Sequence, residues 1–221
     1  MSKTNLNTQS VLSMKGEGYY SEKTLGAKIA IDKTQNLIEK AIKKIPASNI
    51  LKIADFGSAD GGTSQQMWFN IINKIRNNGD DRQIEILYTD LASNDFSVLF
   101  RTMQGMQGNP SYAYQNKFKN VFVHGCGTGF HKQLMTDKSL SLGFSATAMH
   151  YVSERPCLIK DHVHMVGSNK QERDLFKDQA LKDWEVILLN RSKELVSGGR
   201  FICINFGIDE KGRYLGNTGG Y

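Results

Sequence analysis

Residues 50–64 read ILKIADFGSADGGTS, a short apolar run closed by Asp55 and Gly57 and followed by a glycine-containing loop. Met67, Trp68, Ile71, Ile72 and Ile75 then recur at helical spacing, so the order is strand, tight loop, helix. QIEILYTDL, residues 83–91, alternates through Ile84, Ile86 and Tyr88 and ends on Asp90, which supplies the returning strand of a βαβ unit. Upstream, Ile31, Leu37, Ile38, Ala41, Ile42 and Ile45 predict one amphipathic helix from Gly26 to Ile45, stopped by Pro46. Downstream come a short helix around Phe96 to Met103, the strand VFVHG ending at Gly125, and a strand with a turn between Leu140 and Tyr151. Leu175, Leu181, Trp184, Ile187, Leu188 and Leu195 form a long helical stripe closed by Gly198 and Gly199, before a last strand, FICINFG. Strands alternating with helices predict an α/β protein with a doubly wound, mostly parallel sheet.

The chain has 221 residues, of which 39% are hydrophobic and 23% charged, with three prolines, which excludes disorder, collagen and coiled coil and suits one structural domain. Residues 1–48 read as an N-terminal segment and helix lying over the ligand site, and 49–221 as the core. No apolar run reaches the roughly 18 to 20 residues of a membrane span, and mean hydropathy is −0.42. The start, MSKTNLNTQS, shows no export or organelle signal, so a cytoplasmic location is expected. Cys126, Cys157 and Cys203 are odd in number and widely spaced, which predicts buried free thiols. His162 and His164 alternate without a carboxylate cluster, so no metal is expected. Net charge is +6, with Lys40, Lys43 and Lys44 on one helix face that reads as solvated. With the lysines dispersed and no aromatic-basic platform, neither nucleic acid nor membrane is an expected partner, while small anions remain attracted.

The chemistry concentrates at strand ends. Gly57 and Gly61 let the backbone of the first loop turn sharply and approach a ligand, and the helix behind it offers unpaired N–H groups. The spacing is not that of a dinucleotide loop, because Ala59 and Asp60 fill positions where a pyrophosphate needs small, uncharged residues. Asp60 disfavours phosphate. S-adenosylmethionine, with a cationic sulfonium, an amino-acid end and a ribose, tolerates an acidic loop. Asp90 at the second strand end can accept both vicinal ribose hydroxyls, although an ordinary turn and a helix cap would look the same singly. Gly125, Gly127 and Gly129 surround a third strand exit, and Phe130 there could flank an adenine. His150 and Tyr151 could stand in a pocket wall.

Taken in order, VLSMKGEGYY, IADFGSADGGTS, YTDLASNDFSVLFRTM, GCGTGFHKQLM, SATAMHYVSERP and LVSGGRFICINFG resemble the SABATH family of S-adenosylmethionine-dependent methyltransferases. The family is known in plants for methylating carboxyl groups of small acids and ring nitrogens of xanthines. The resemblance covers nearly the whole chain and implies a class I, Rossmann-like methyltransferase fold. It also implies cofactor contacts at Lys15, Tyr20, Thr24, Asp55, Gly57, Thr63, Asp90, Leu91, Gly129, Phe130 and Ser145. The glutamine and tryptophan that hold the substrate carboxylate in plant members correspond to Ala27 and Tyr151, both changed, with His150 and Thr147 beside them. The implied acceptor is a small organic acid, and its carboxyl group, with a pKa near 4, is more than about 99% ionised at pH 7, so no general base is required. Family members are longer and carry two further strands and a helical cap, which the resemblance implies are missing here, whether the sequence is a fragment or a naturally shortened form, so that weak activity is expected of these 221 residues; a homodimer is a further expectation. A binding module without catalysis and a nucleotide-dependent oxidoreductase are the alternatives.

Overall fold

The computed structural model describes residues 16–213. Five strands, β1 (Ile50–Phe56), β2 (Gln83–Thr89), β3 (Val121–Cys126), β4 (Leu140–Ala146) and β5 (Leu195–Ile204), form one sheet in the order β3-β2-β1-β4-β5. Every pairing is parallel. The chain therefore crosses from β3 over to the far side of β1, and the connections after β1 and β4 diverge, which opens a crevice at the carboxyl ends of the strands.

The helices are α1 (Tyr19–Lys23), α2 (Leu25–Asp32), α3 (Gln35–Ile42), α4 (Gly62–Asn77), α5 (Phe96–Met103), α6 (Tyr114–Lys117) and α7 (Lys170–Glu194). Strand periodicity sends Leu51, Ile53, Ile84, Ile86, Tyr88, Leu142 and Phe144 to one face, where they meet Met67, Trp68, Ile71 and Ile72 of α4. Trp68 packs edge-on to Phe144 with ring centres 5.5 Å apart. The opposite face is thinner: Ala54, Phe56, Leu140 and Met149 pack against Ile187 of α7. Asp95 starts α5 by accepting Val98 N–H at 3.1 Å, and Asn169 with Glu172 forms a capping box at the start of α7.

Some expectations change. The single helix from Gly26 to Ile45 is two, α2 and α3, because Thr34 turns its N–H (2.9 Å) and its hydroxyl (2.6 Å) back onto Ile31 O and breaks the helical ladder. Most of the apolar stripe of α7 faces outward: Leu175, Leu181, Trp184 and Leu188 are exposed, Ile187 of that stripe is buried, Leu195 begins β5, and beside Ile187 the helix buries Glu172, Asp183, Arg191 and Glu194. Gly198 and Gly199 do not end that helix; they lie inside β5, where the register against β4 shifts between Leu140 and Leu142 and Gly198 adopts φ 78° beneath Pro46. The strand and turn between Leu140 and Tyr151 are present, and Lys40, Lys43 and Lys44 are exposed. Cys126, Cys157 and Cys203 are free thiols, half-buried rather than buried, and among the described residues no helix is long and apolar enough to cross a membrane.

Candidate active site

The loop after β1 is stapled to the end of β2. Gly57 N–H and Ser58 N–H both donate to Thr89 O, at 2.8 and 3.1 Å. Ala59 N–H donates to Asp90 Oδ2 at 2.7 Å, and Leu91 N–H to Asp90 Oδ1 at 2.7 Å. Burial pushes the Asp90 carboxyl above the ordinary carboxylate range, against the two backbone N–H groups that favour its ionised form. Gly57 sits at φ 73°, and a Cβ there would lie 2.3 Å from Ala148 Cβ and 3.7 Å from the Phe130 ring. Only glycine fits where these loops converge.

Asp60 is a structural carboxylate. Its Oδ1 accepts Gly62 N–H at 3.1 Å and its Oδ2 accepts Ser21 N–H at 3.0 Å, so it fills the anion position at the start of α4 and ties α1 to the loop. Asp55 lies beneath the loop rather than in it. Its Oδ2 accepts Ser64 Oγ at 2.7 Å and Trp68 Nε1 at 2.9 Å, both from α4, and burial raises the carboxyl to about 6. Next to it Tyr88 and Tyr114 share a buried hydroxyl contact of 2.7 Å.

At the strand ends a pocket is lined by Asp90, Leu91, Gly129, Phe130, His131, Tyr151, Val152 and Ser153. Five of these were singled out from sequence; His131, Val152 and Ser153 were not. Tyr151 also lines an adjoining cleft with His150, Trp184 and Phe206, and the His150 ring centre stands 4.3 Å from Tyr151 and 4.8 Å from Phe206. Burial lowers the His150 pKa and raises that of Tyr151, so at pH 7 both rings are neutral and able to donate a hydrogen bond.

Helix α7 fixes the loop that carries Phe130. Arg191 donates to Phe130 O at 2.7 Å, to Lys132 O at 2.8 Å and to both oxygens of Glu194, while its guanidinium lies 4.4 Å from the Phe56 ring centre. Glu194 accepts Leu134 N–H and Met135 N–H, and Asn190 donates to His131 O at 2.9 Å. Arg191 and Glu194 are essentially inaccessible to solvent, and a buried ion pair tolerates that only when its remaining polar atoms are satisfied, as they are here.

The other expected residues do not line this pocket. Tyr20 on α1 lies 3.3 Å, hydroxyl to hydroxyl, from Thr147, which has φ 54° at the exit of β4. Thr24 turns its hydroxyl onto Tyr20 O at 2.6 Å, and Thr63 is buried in the first turn of α4. Ser145 is fully buried and donates to Phe56 O at 3.0 Å, joining β4 to β1. Ala27 is half-buried on α2, and Lys15 lies outside the described residues.

A family model described as SAM dependent carboxyl methyltransferase matches residues 8–218. The chain is similar to farnesoic acid carboxyl-O-methyltransferase of Arabidopsis thaliana, 29% identical over 71% of this chain and 46% of the relative. It is also similar to benzoate O-methyltransferase of Zea mays, 23% identical over 91% of this chain and 60% of the relative. Among solved structures, a loganic acid methyltransferase with SAH superposes with a TM-score of 0.72 at 21% identity, covering 94% of this chain and 62% of that one. That likeness bears out the doubly wound, class I methyltransferase fold. The chain spans about half the length of the curated relatives it matches.

Proposed function

This chain belongs to the SAM dependent carboxyl methyltransferase family, and on that premise we propose that it binds S-adenosylmethionine at the β1, β2 and β3 strand ends and methylates a small organic acid on its carboxylate. The observation that carries the reading is the pocket in which Asp90, Leu91, Gly129 and Phe130 stand together with Tyr151. Each Asp90 oxygen accepts one backbone N–H and keeps a lone pair, enough for two vicinal ribose hydroxyls. Phe130 offers an aromatic face to an adenine, and Gly57 lets backbone approach where a side chain would block it. Asp60 already satisfies an N–H at the start of α4, so a phosphate would meet a carboxylate there instead of a free donor. These residues fit a sulfonium nucleoside better than a dinucleotide.

When bound, S-adenosylmethionine supplies a methyl carbon activated by its positive sulfur. The work left to this chain is placement. Tyr151 and His150, neutral donors at the outer wall, orient the acid so that one carboxylate oxygen faces the methyl carbon in line, and the acid's own ionisation removes the need for a base. Tyr20 and Thr147 close the side nearest α1.

Calorimetry with S-adenosylhomocysteine and mass spectrometry of products from a panel of small acids test the reading. The expected result is saturable binding, a methyl ester from at least one acid, and binding weaker by about tenfold or more in Asp90→Ala, as for loss of hydrogen bonds to a charged acceptor. NAD binding with no response to the sulfur cofactor would sink it, and an unchanged affinity in a folded Asp90→Ala would remove Asp90 from the site.

A further inference from the structure

We propose that Asp183 of α7, which borders the cleft beside His150 and Tyr151, is a positioning residue for the methyl acceptor: both of its carboxylate oxygens are engaged by Ser153, and through that bond it holds the loop that carries Tyr151 in place. The inference rests on the function proposed above, since it concerns the wall assigned there to the acceptor.

The loop runs from Thr147 to Ser153 and is fixed at both ends. At its start, Thr147 N–H donates to Ile204 O at 2.8 Å and its hydroxyl meets Tyr20. At its end, Ser153 N–H donates to Asp183 Oδ2 at 2.7 Å and Ser153 Oγ to Asp183 Oδ1 at 2.6 Å. Gln179, one turn earlier on α7, donates to Asp183 Oδ1 at 3.0 Å and to Ser153 Oγ at 3.2 Å. Asp183 is only 8% exposed, so these bonds form away from water, where hydrogen bonds to a carboxylate are strong and directional. Between the two anchors Met149 is buried while Tyr151 remains partly open, so the position of the Tyr151 ring follows from where Ser153 is held.

His131 supports the same reading from the loop that carries Phe130. Its Nε2 is buried, has no hydrogen-bond partner among the described residues, and lies 4.0 Å from Asp183 Oδ2. The carboxylate therefore stands between the Phe130 loop and the Tyr151 loop, both of which line the pocket. A fold stabilised by burial alone would place an apolar residue next to Ile187. A carboxylate at this point is useful because it sets a distance, and in-line transfer is sensitive to displacements of about 1 Å.

The test compares wild type with Asp183→Asn, which keeps the shape but removes one acceptor, and with Ser153→Ala, which removes the hydroxyl bond and leaves the backbone bond. Each variant is first checked for a wild-type melting transition; if Asp183→Asn unfolds, Ser153→Ala carries the comparison. The expected result is a fall of about tenfold in kcat/KM for the acid with Asp183→Asn and a smaller fall with Ser153→Ala. S-adenosylhomocysteine affinity should stay within about threefold, and amide exchange should accelerate over residues 148–154. Unchanged acceptor kinetics in an active protein, or an equal loss of cofactor affinity, overturns this inference and leaves the proposed function standing. A wild-type chain that methylates no acid sinks both.

Discussion

On the sheet face covered by α4, Ile38, Leu51, Met67, Trp68 and Ile72 are sealed from water and the packing is almost wholly apolar. On the face covered by α7, the helix turns Asp183, Arg191 and Glu194 inward and leaves Leu175, Leu181 and Leu189 at the surface. Burial is strong but non-directional, and suits a scaffold. A network of charge-assisted hydrogen bonds is directional, and suits loops that must be held at fixed distances. The two faces thus divide the labour, one supplying stability and the other tying down both loops of the pocket.

The largest effect should come from breaking the tie. Arg191→Ala leaves Glu194 buried without its partner and frees Phe130 O and Lys132 O, so a loss of about 3–5 kcal/mol in urea unfolding is expected, together with weaker cofactor binding; a loss under about 1 kcal/mol would break the comparison. On the apolar face, Ile72→Ala should cost about 2–5 kcal/mol, yet leave cofactor affinity in the folded protein unchanged. An affinity change there would show that the faces are not independent.

Asp55 is a buried carboxylate on the apolar face and gives a pH signature. Burial raises its carboxyl from 3.8 to about 6, so the folded chain holds this proton more tightly than the unfolded chain. The contribution of Asp55 to stability therefore rises as pH falls from above 6 towards 4, by an amount on the order of 3 kcal/mol. Asp55→Asn can still accept both bonds on its amide oxygen and has no such titration. It should exceed wild type in melting temperature most above pH 6, with the gap closing near pH 4; a gap that is constant with pH refutes the shift. The smallest effect belongs to the outer side of α7, where Leu181, 59% exposed, should tolerate glutamine within about 0.5 kcal/mol.

The βαβ unit was readable because its signals are local: apolar alternation in β1 and β2, glycines in the loop, and a helical stripe through Trp68 and Ile72. The order of the motifs also named residues that come together, Asp90, Leu91, Gly129, Phe130 and Tyr151. What it lacked was direction. Counting by two from Leu51 and Ile53 puts Asp55 on the core face of β1, a signal present in the sequence that argues for a contact with α4. The break at Thr34 was hidden because a hydroxyl can either follow the helix or fold back on it, and the pattern of apolar residues is the same in both cases. The inner face of α7 was hidden for a different reason. Asp183, Ile187, Arg191 and Glu194 have helical spacing, but charged residues at that spacing ordinarily meet water, and their partners at Ser153, Phe130 and Leu134 are remote in sequence. His131 was passed over beside a glycine and a phenylalanine that carried the motif.

The contact between Gly57 and Ala148 has a consequence for anyone redesigning this pocket. A methyl group at 57 would fall 2.3 Å from the one at 148, so the exits of β1 and β4 are matched surfaces with no slack between them. Exchanging the β1 loop with that of another family member would import a collision whenever the donor carries a side chain at 57 and the β4 loop keeps Ala148 where it is. The two loops form a single cassette, to be transplanted together, and a variant library that randomises one should keep the other in view.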